Sequence, residues 1–449
     1  MQDILDSIFK AYDVRGKVGS ELNAEILELM GKAFADWLPT TGPVAVGRDM
    51  RPDSAELAGA LIKGLQAQGR DVWDIGEVTS DMIYFAVGKH KLAGGVMITA
   101  SHNPGKDNGL KFCREEAQPV GKESGLFEIR DRVAAGQFAP ATQQGKVEQH
   151  DVVEGWVDHV LSFIKADELK PLKIAVDAGN GMAGKIFPEL EPFVPWEVTE
   201  MYFELDGTFP NHEANPLKFE TLADLIKKIQ DNKLDGGIAF DGDGDRAFLV
   251  DETGTVVSGN VMVAMLAEYF LDKFPGSAIL YDVRISHAVP DLITAKGGEA
   301  VRTRVGHSFI KQIMREKQAP FGGEFSGHFY FRDNYYADSG LISAVIGLYV
   351  AGLSGKTLSQ IREYYTKYPG IPETNFTVED KAGVIESIKQ TFADEEQDTL
   401  DGLTVNFKDD KWFNVRPSNT EPLLRLTAEA KTQSELDELV AKVTNLITQ

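Results

Sequence analysis

The residues best suited to chemistry form a run, Val96-Met97-Ile98-Thr99-Ala100-Ser101-His102-Asn103-Pro104, followed by Asn108-Gly109-Leu110-Lys111. An apolar, strand-like stretch ends in a hydroxyl, an imidazole and an amide, then in a proline that continues neither a helix nor a central strand. In open α/β sheets ligands sit beyond the carboxyl ends of the strands, so Ser101 stands where a substrate reaches it and is the candidate nucleophile, with His102 beside it. Ser, Asn and Pro also favour plain turns, and position alone does not separate the two readings. A second set is Asp241-Gly242-Asp243-Gly244-Asp245-Arg246. Carboxylates at alternate positions, separated by glycines, converge on one small hard cation because glycine lets the backbone fold tightly around it. An EF-hand would use Glu252 as its last ligand, but Arg246 stands where that loop needs glycine. Three carboxylate oxygens leave magnesium positions for water or a phosphate oxygen, one of which a phosphorylated Ser101 would fill.

Other segments supply polar and cationic groups. Phe9-Lys10-Ala11-Tyr12-Asp13-Val14-Arg15-Gly16 joins an aromatic ring to a guanidinium whose planar fork suits phosphate. Arg302-Thr303-Arg304-Val305-Gly306-His307-Ser308, with Lys311 one turn on, is a local basic cluster in an acidic protein. In Gly322-Gly323-Glu324-Phe325-Ser326-Gly327-His328, an extended backbone would put Glu324, Ser326 and His328 on one side, and a carboxylate with a serine suits sugar hydroxyls. Val415-Arg416-Pro417-Ser418-Asn419-Thr420-Glu421-Pro422 combines an arginine, two hydroxyls, an amide and backbone N–H groups into an anion cradle. The run Asp177-Ala178-Gly179-Asn180-Gly181-Met182-Ala183-Gly184-Lys185 imitates nucleotide loops, but Ile186 replaces the magnesium-binding hydroxyl of a P-loop. Its glycines read as tight strand-to-helix packing, with Glu200 and Glu204 leaving a weak dinucleotide reading open.

The elements that must position these groups alternate. Strands are expected at 44–48, 71–75 and the run into Ser101, with helices at 53–68 and 81–89, the pattern of a βαβ unit. Between 115 and 150 the periodicity dissolves, placing a boundary near 145. A helix at 151–165, a strand at 173–176, a helix at 219–231 and short strands on either side of the aspartate run follow, then a helix at 260–271 and a strand at 278–281 ending in Asp282-Val283-Arg284. Strands are expected to end at Asp49, Asp177 and Asp282 in three similar contexts. After Tyr368-Pro369-Gly370 comes a small α+β unit whose last helix carries Leu436, Leu439, Val440, Val443, Leu446 and Ile447 on one stripe, with Ser434 and Asp437 expected to cap it. The domains expected are 1–145, 146–257, 258–368 and 369–449.

A chain of 449 residues exceeds what one hydrophobic core supports. The net charge of −23 argues against nucleic acid and anionic membrane as partners. One cysteine, Cys113, excludes an intrachain disulfide, and with no apolar run of spanning length and no basic-then-apolar leader a cytoplasmic location is expected.

The order and spacing of Thr99-Ala-Ser101-His-Asn-Pro104, Asp241-Gly-Asp-Gly-Asp-Arg246, Gly323-Glu-Phe-Ser-Gly-His328 and Arg416-Pro-Ser-Asn-Thr-Glu-Pro422 resemble the α-D-phosphohexomutase superfamily, in its bacterial phosphomannomutase/phosphoglucomutase branch. The resemblance implies an α/β fold of four domains around a central cleft, three similar α/β domains with mixed sheets and a C-terminal α+β phosphate-binding domain. It implies an isomerase that interconverts hexose 1-phosphate and 6-phosphate through a phosphoserine and a hexose 1,6-bisphosphate. Ser101 would carry the phosphoryl group, Asp241, Asp243 and Asp245 would hold magnesium, and Glu324 and Ser326 would bind sugar hydroxyls. Arg416, Ser418, Asn419 and Thr420 would grip the phosphate not being transferred. Arg15, Lys111, Arg246, His307 and His328 match positions lining the cleft, with Lys111 or His328 as proton carrier, and Tyr12 and Arg284 join the substrate contacts. Phe325 and Asn419-Thr420 favour mannose and glucose phosphates over glucosamine phosphate. A phosphoglucosamine mutase and a non-catalytic cation or sugar-phosphate binder are the alternatives, and a monomer or weak homo-oligomer is expected.

Overall fold

The computed structural model describes residues 2–139, 141–418 and 423–448. The chain falls into two compact units, 1–257 with 326–360, and 258–325 with 361–449.

In the first unit Asn23 caps the helix Ala24–Trp37, its side-chain oxygen accepting from Ile26 N at 3.0 Å. Ile26, Leu27, Met30 and Phe34 make its buried face. It packs against the helix Ser54–Ala67 with Gly31 facing Gly64, and a Cβ at Gly31 would lie 2.2 Å from the Leu61 carbonyl. Only glycines permit that approach. Strands Val44–Arg48, Val72–Glu77 and Gly94–Ile98 run parallel. Asp107–Arg114 turns back antiparallel beside Gly94–Ile98, and Val14–Lys17 pairs with it in turn. Gly94–Ile98 is buried at every residue, as a central strand covered on both faces must be. Cys113 lies in this core.

A second mixed sheet has Leu172–Asp177 between Trp196–Met201 and Gly236–Phe240, all parallel, with Ala247–Asp251 antiparallel at its edge. The segment 326–360 adds the hairpin Phe329–Phe331 with Ala337–Asp338 and the apolar helix Gly340–Ser354, capped by Ser339.

In the second unit Ala278–Asp282 lies between the parallel strands Glu299–Thr303 and Phe321–Gly323. A separate antiparallel sheet has the order Thr374–Thr377, Leu423–Glu429, Trp412–Pro417, Leu403–Asn406, Glu396–Asp398. Helices Lys381–Thr391 and Gln433–Thr448 share its apolar core.

The aspartates that close three of the parallel strands act alike. Each carboxylate accepts a backbone N–H two residues on: Asp49 from Arg51 at 3.1 Å, Asp177 from Gly179 at 2.8 Å and Asp282 from Arg284 at 2.7 Å. Asp74 and Asp251 accept the same contact, from Gly76 at 3.0 Å and Thr253 at 2.9 Å, so it is a general device and not particular to those three strand ends.

Three local expectations are corrected. The stretch 115–150 contains the helix Leu126–Ala135 and the strand Val147–Gln149, and the latter pairs with Val72–Asp74, so the first sheet draws on residues beyond 145. The last helix is capped by Thr432 and Glu435, not Ser434 and Asp437: Thr432 N donates to Glu435 Oε2 at 3.0 Å and Glu435 N to Thr432 Oγ1 at 3.3 Å. Residues 324–328 form a turn between short strands, so alternation along an extended backbone is not what orients Glu324, Ser326 and His328. Among the described residues no single helix is long and apolar enough to cross a membrane.

Candidate active site

Ser101 lies just past the end of Gly94–Ile98, as the strand-end argument requires, and its backbone takes the left-handed conformation with φ +52°. For a residue with a Cβ this conformation costs about 1–2 kcal/mol, and the surroundings enforce it. Arg51, buried, donates to the carbonyls of Ser101 and Asn103 through Nη2 (2.9 and 2.7 Å) and to those of Pro104 and Asp107 through Nη1 (both 2.8 Å). Its Nε donates to Asp49 Oδ2 at 3.1 Å. Arg15 adds a second brace, with Nη1 donating to Ala100 O at 2.5 Å and Asn103 Oδ1 at 2.8 Å. The sequence reading missed Arg51. Its signal was the pair Asp49-x-Arg51, repeated at Asp282-x-Arg284, where Arg284 Nε likewise donates to its aspartate at 3.0 Å.

The Ser101 hydroxyl donates to Asp241 Oδ2 at 3.0 Å and lies 3.1 Å from His102 Nδ1. Asp241 stands just past Gly236–Phe240, at the head of the turn leading into Ala247–Asp251. That turn approaches Ser101 closely, since a Cβ on Gly242 would sit 2.5 Å from the Ser101 carbonyl. Gly242 O also accepts from Met182 N at 2.9 Å, and a Cβ on Gly181 would reach Gly242 O at 2.8 Å. The glycine-rich run therefore packs closely against the aspartate turn, where strand-to-helix packing was the expectation.

Asp241, Asp243 and Asp245 are buried, and one carboxylate oxygen from each lies within 4.8 Å of the others. Lys111 Nζ bridges two of them, donating to Asp243 Oδ2 at 2.5 Å and Asp245 Oδ2 at 2.6 Å. Ser80 Oγ also donates to Asp243 Oδ2, at 2.5 Å. Asp243 Oδ1 and Asp245 Oδ1 are buried without a hydrogen-bond partner. Two stranded anionic oxygens beside a third carboxylate form a hard, oxygen-only donor set, which fits magnesium.

Burial and the neighbouring Asp245 push the Asp241 carboxyl up to about 7, against the pull of Arg246. Burial is the largest influence on Asp243 and Asp245 and opposes their ionisation, yet Lys111 with Ser80 at Asp243, and Lys111 with His328 and Arg246 at Asp245, together hold both below the usual carboxylate range. In return, burial is overcome at Lys111 by Asp243 and Asp245, which hold its ammonium well above the ordinary value.

Arg246 donates from Nε to Asp241 Oδ2 at 3.0 Å and from Nη2 to His102 Nδ1 at 2.5 Å. Burial, then Arg246 and Arg15, keep the His102 imidazole far below its ordinary value and therefore neutral. His102 Nδ1 thus faces the Arg246 guanidinium as well as the Ser101 hydroxyl. His328 differs. Its Nδ1 lies 2.8 Å from Asp338 Oδ2, and this hydrogen bond together with Asp245 outweighs burial and raises its pKa. Asp245, His328 and Asp338 also sit close enough to share a cation, but His328 Nδ1 is engaged with Asp338, so the three-aspartate group is the better candidate metal centre. Ser326, at the turn before Phe329–Phe331, and Tyr12, half-buried ahead of Val14–Lys17, belong to the same unit.

In the second unit Arg284 forks onto Asp282, with Nη2 at 2.6 Å from Oδ2, and lies 3.8 Å from Glu324. Glu324 is buried and its Oε1 accepts from Gly306 N at 3.0 Å. Arg416 is buried at the end of Trp412–Pro417, and Ser418 follows it, with Arg425 Nη2 at 3.5 Å from Ser418 Oγ. His307 opens the helix His307–Lys317. The His307 side chain, Asn419 and Thr420 lie outside the described residues. Of the basic run 302–311, Arg302 donates to Asp398 Oδ2 at 2.6 Å and Thr404 Oγ1 at 2.7 Å, and Arg304 stacks on Phe309.

Comparison with known proteins decides the family. Four phosphoglucomutase/phosphomannomutase profiles match in order: alpha/beta/alpha domain I at 6–140, alpha/beta/alpha domain II at 154–254, alpha/beta/alpha domain III at 258–368 and the C-terminal domain at 373–446. A phosphomannomutase of Escherichia coli K12 is 40% identical over 452 residues, covering 98% of each chain. The chain belongs to the phosphoglucomutase/phosphomannomutase family. Within it the chain falls in the bacterial phosphohexomutase branch: a protein of Xanthomonas campestris named for phosphohexose mutases is 40% identical over 444 residues, 98% of each chain. The crystal structure of a family protein from Burkholderia thailandensis superposes with a TM-score of 0.90 at 32% identity, covering 98% of this chain and 96% of that one. Family membership makes the chain an α/β enzyme of four domains and a sugar-phosphate mutase, an isomerase working by phosphoryl transfer.

Proposed function

We propose that the enzyme interconverts the 1- and 6-phosphates of mannose, glucose or both, through a phosphoserine at Ser101 and a hexose 1,6-bisphosphate. The observation that carries this reading is the Ser101 hydroxyl, fixed at a strand end 3.0 Å from Asp241 beside two buried carboxylate oxygens that lack a hydrogen-bond partner. Asp241, Asp243 and Asp245 would hold magnesium, which when bound supplies positive charge against the phosphoryl oxygens. Phosphoryl transfer proceeds through a loose transition state that needs positioning and charge neutralisation more than a strong nucleophile. Arg15 and Arg51 fix the donor oxygen through the backbone on either side of it. Lys111 and Arg246 supply further positive charge.

In the first half-reaction the free hydroxyl of a hexose monophosphate attacks the phosphorus, its O–P bond forms as the Ser101 Oγ–P bond breaks, and the hydroxyl proton leaves to a base. Lys111 and His328 were the expected carriers. Lys111 is held as an ammonium between two aspartates, so the role goes to His328, backed by Asp338. The bisphosphate then returns its other phosphate to Ser101 in the reverse sense. Glu324 and Ser326 would read sugar hydroxyls, and Arg416, Ser418, Asn419 and Thr420 the phosphate that stays. His307, Tyr12 and Arg284 complete the proposed contacts. Boundaries near 145, 257 and 368, a cytoplasmic enzyme and a monomer or weak homo-oligomer belong to the same proposal. The matched ranges support the boundaries, and the net charge of −23 supports the absence of nucleic-acid and membrane partners.

The test is a parallel assay of mannose, glucose and glucosamine 1-phosphates, with and without magnesium and hexose 1,6-bisphosphate, on wild type and Ser101→Ala. Magnesium-dependent turnover of the mannose or glucose ester that is lost in Ser101→Ala supports the reading. Preferred turnover of the glucosamine ester, or undiminished activity in the variant, contradicts it.

A further inference from the structure

One carboxylate outside every motif read in the sequence, Glu373, gathers three guanidiniums. Its Oε2 accepts from Arg416 Nη2 at 2.7 Å and from Arg284 Nη1 at 3.4 Å, and its Oε1 accepts from Arg425 Nη1 at 3.1 Å. The three come from different places. Arg416 and Arg425 are directly opposed across the strands Trp412–Pro417 and Leu423–Glu429, and Arg284 follows Ala278–Asp282. Glu373 stands just before the strand Thr374–Thr377. Burial disfavours its charge, but Arg284, Arg416 and Arg425 outweigh burial and keep it ionised.

The clamp is richer in donors than a carboxylate requires. Arg416 is buried, and its Nε–H has no hydrogen-bond partner. A carboxylate presents two oxygens, whereas a phosphate ester presents three around a centre of higher charge, and guanidinium forks suit it well. We propose that Glu373 is an internal stand-in for phosphate: it holds Arg284, Arg416 and Arg425 converged in the free enzyme, and the substrate's phosphate takes over the Arg416 and Arg425 contacts on binding. Arg284 is tied to Asp282 by two hydrogen bonds through Nε and Nη2, so it keeps a partner whichever anion is present. Arg425 thereby joins the phosphate-binding residues. The inference rests on the reading of the Arg416 loop as a phosphate cradle. Its consequence is a site assembled before substrate arrives whose own anion opposes tight retention, which suits an enzyme that must release both ends of a bisphosphate.

The experiment measures inorganic phosphate binding calorimetrically on the full chain, with steady-state kinetics alongside. Glu373→Gln keeps the shape and removes the charge. It is expected to bind phosphate at least about fivefold tighter, the lower end of ordinary coupling between sites, with KM lowered and kcat not raised. A folded Glu373→Gln protein whose phosphate affinity is unchanged or weaker overturns the proposal. Should that variant not fold, Arg425→Met carries the test: a loss of phosphate affinity of at least about tenfold, the scale of a charge-assisted contact, is expected, and unchanged affinity overturns the assignment. Arg416→Met separates the two levels. If it leaves phosphate binding untouched, the cradle reading fails; if it abolishes binding while Glu373→Gln changes nothing, the cradle stands and only the role of Glu373 falls.

Discussion

Ser101 is held in a conformation that favours glycine, and that strain is separable from its chemistry. Ser101→Gly and Ser101→Ala both delete the hydroxyl, but only alanine keeps the Cβ that the left-handed backbone disfavours. Ser101→Gly should therefore be about 1 kcal/mol more stable than Ser101→Ala in denaturant unfolding, with equal stability showing that the surroundings impose no strain. Asp81 makes a second prediction. Fully buried, and accepting from Ser339 Oγ at 2.5 Å and from the Thr79 hydroxyl, it has a pKa raised to about 8, burial being the main cause. The folded protein then holds a proton that the unfolded chain releases near pH 3.9. Between those values the native state binds more protons, so this residue's contribution falls as pH rises from about 4 to about 8. The stability of Asp81→Asn minus that of wild type should grow across that window, and a flat difference would contradict the buried proton. Ser101 and the three aspartates were legible because their neighbours in sequence announce them. Asp81, Asp338 and Glu373 were not, since each acts on partners brought near only by folding.

At the scale of elements, the donor loop is a short segment that makes few regular backbone hydrogen bonds of its own and relies on Arg51 for four carbonyl contacts. Lysine preserves the charge but not the fork, so Arg51→Lys should lower kcat more than it raises KM. Amide exchange over 99–107 should rise with it, and unchanged exchange with unchanged kcat would remove Arg51 from the positioning of Ser101. The same contrast explains what could be read beforehand. Buried strands such as Gly94–Ile98 and Gly236–Phe240 announce themselves as apolar runs bounded by glycine and polar residues. The helix Leu126–Ala135 escaped notice because only Leu126, Ile129 and Val133 are buried along it, and Gly125 and Gly136 at its ends read as loop. Glu324, Ser326 and His328 were singled out by type, while the backbone that carries them was misjudged: Gly327, at φ +87°, turns the chain where an extended strand was expected. Capping by Thr432 and Glu435 was missed by two residues, within the usual uncertainty of helix ends.

For the whole molecule, the tension between a net charge of −23 and an anionic substrate resolves locally. Positive charge is concentrated where buried or half-buried acids already hold it: Lys111 on Asp243 and Asp245, Arg246 on Asp241, Arg284 on Asp282 and Arg416 on the half-buried Glu373. Each cation is thereby placed in advance, which lowers the ordering cost of binding an anion. This division of labour has meaning only if a phosphoryl group passes through the Ser101 oxygen. The most direct measurement is the intact mass of the purified protein after incubation with a hexose 1,6-bisphosphate and magnesium, followed by peptide mapping. The account predicts one added phosphoryl group, located on Ser101 and missing from Ser101→Ala. A phosphoryl group on another residue, or none on a wild-type enzyme that turns over hexose phosphates under the same conditions, would contradict it.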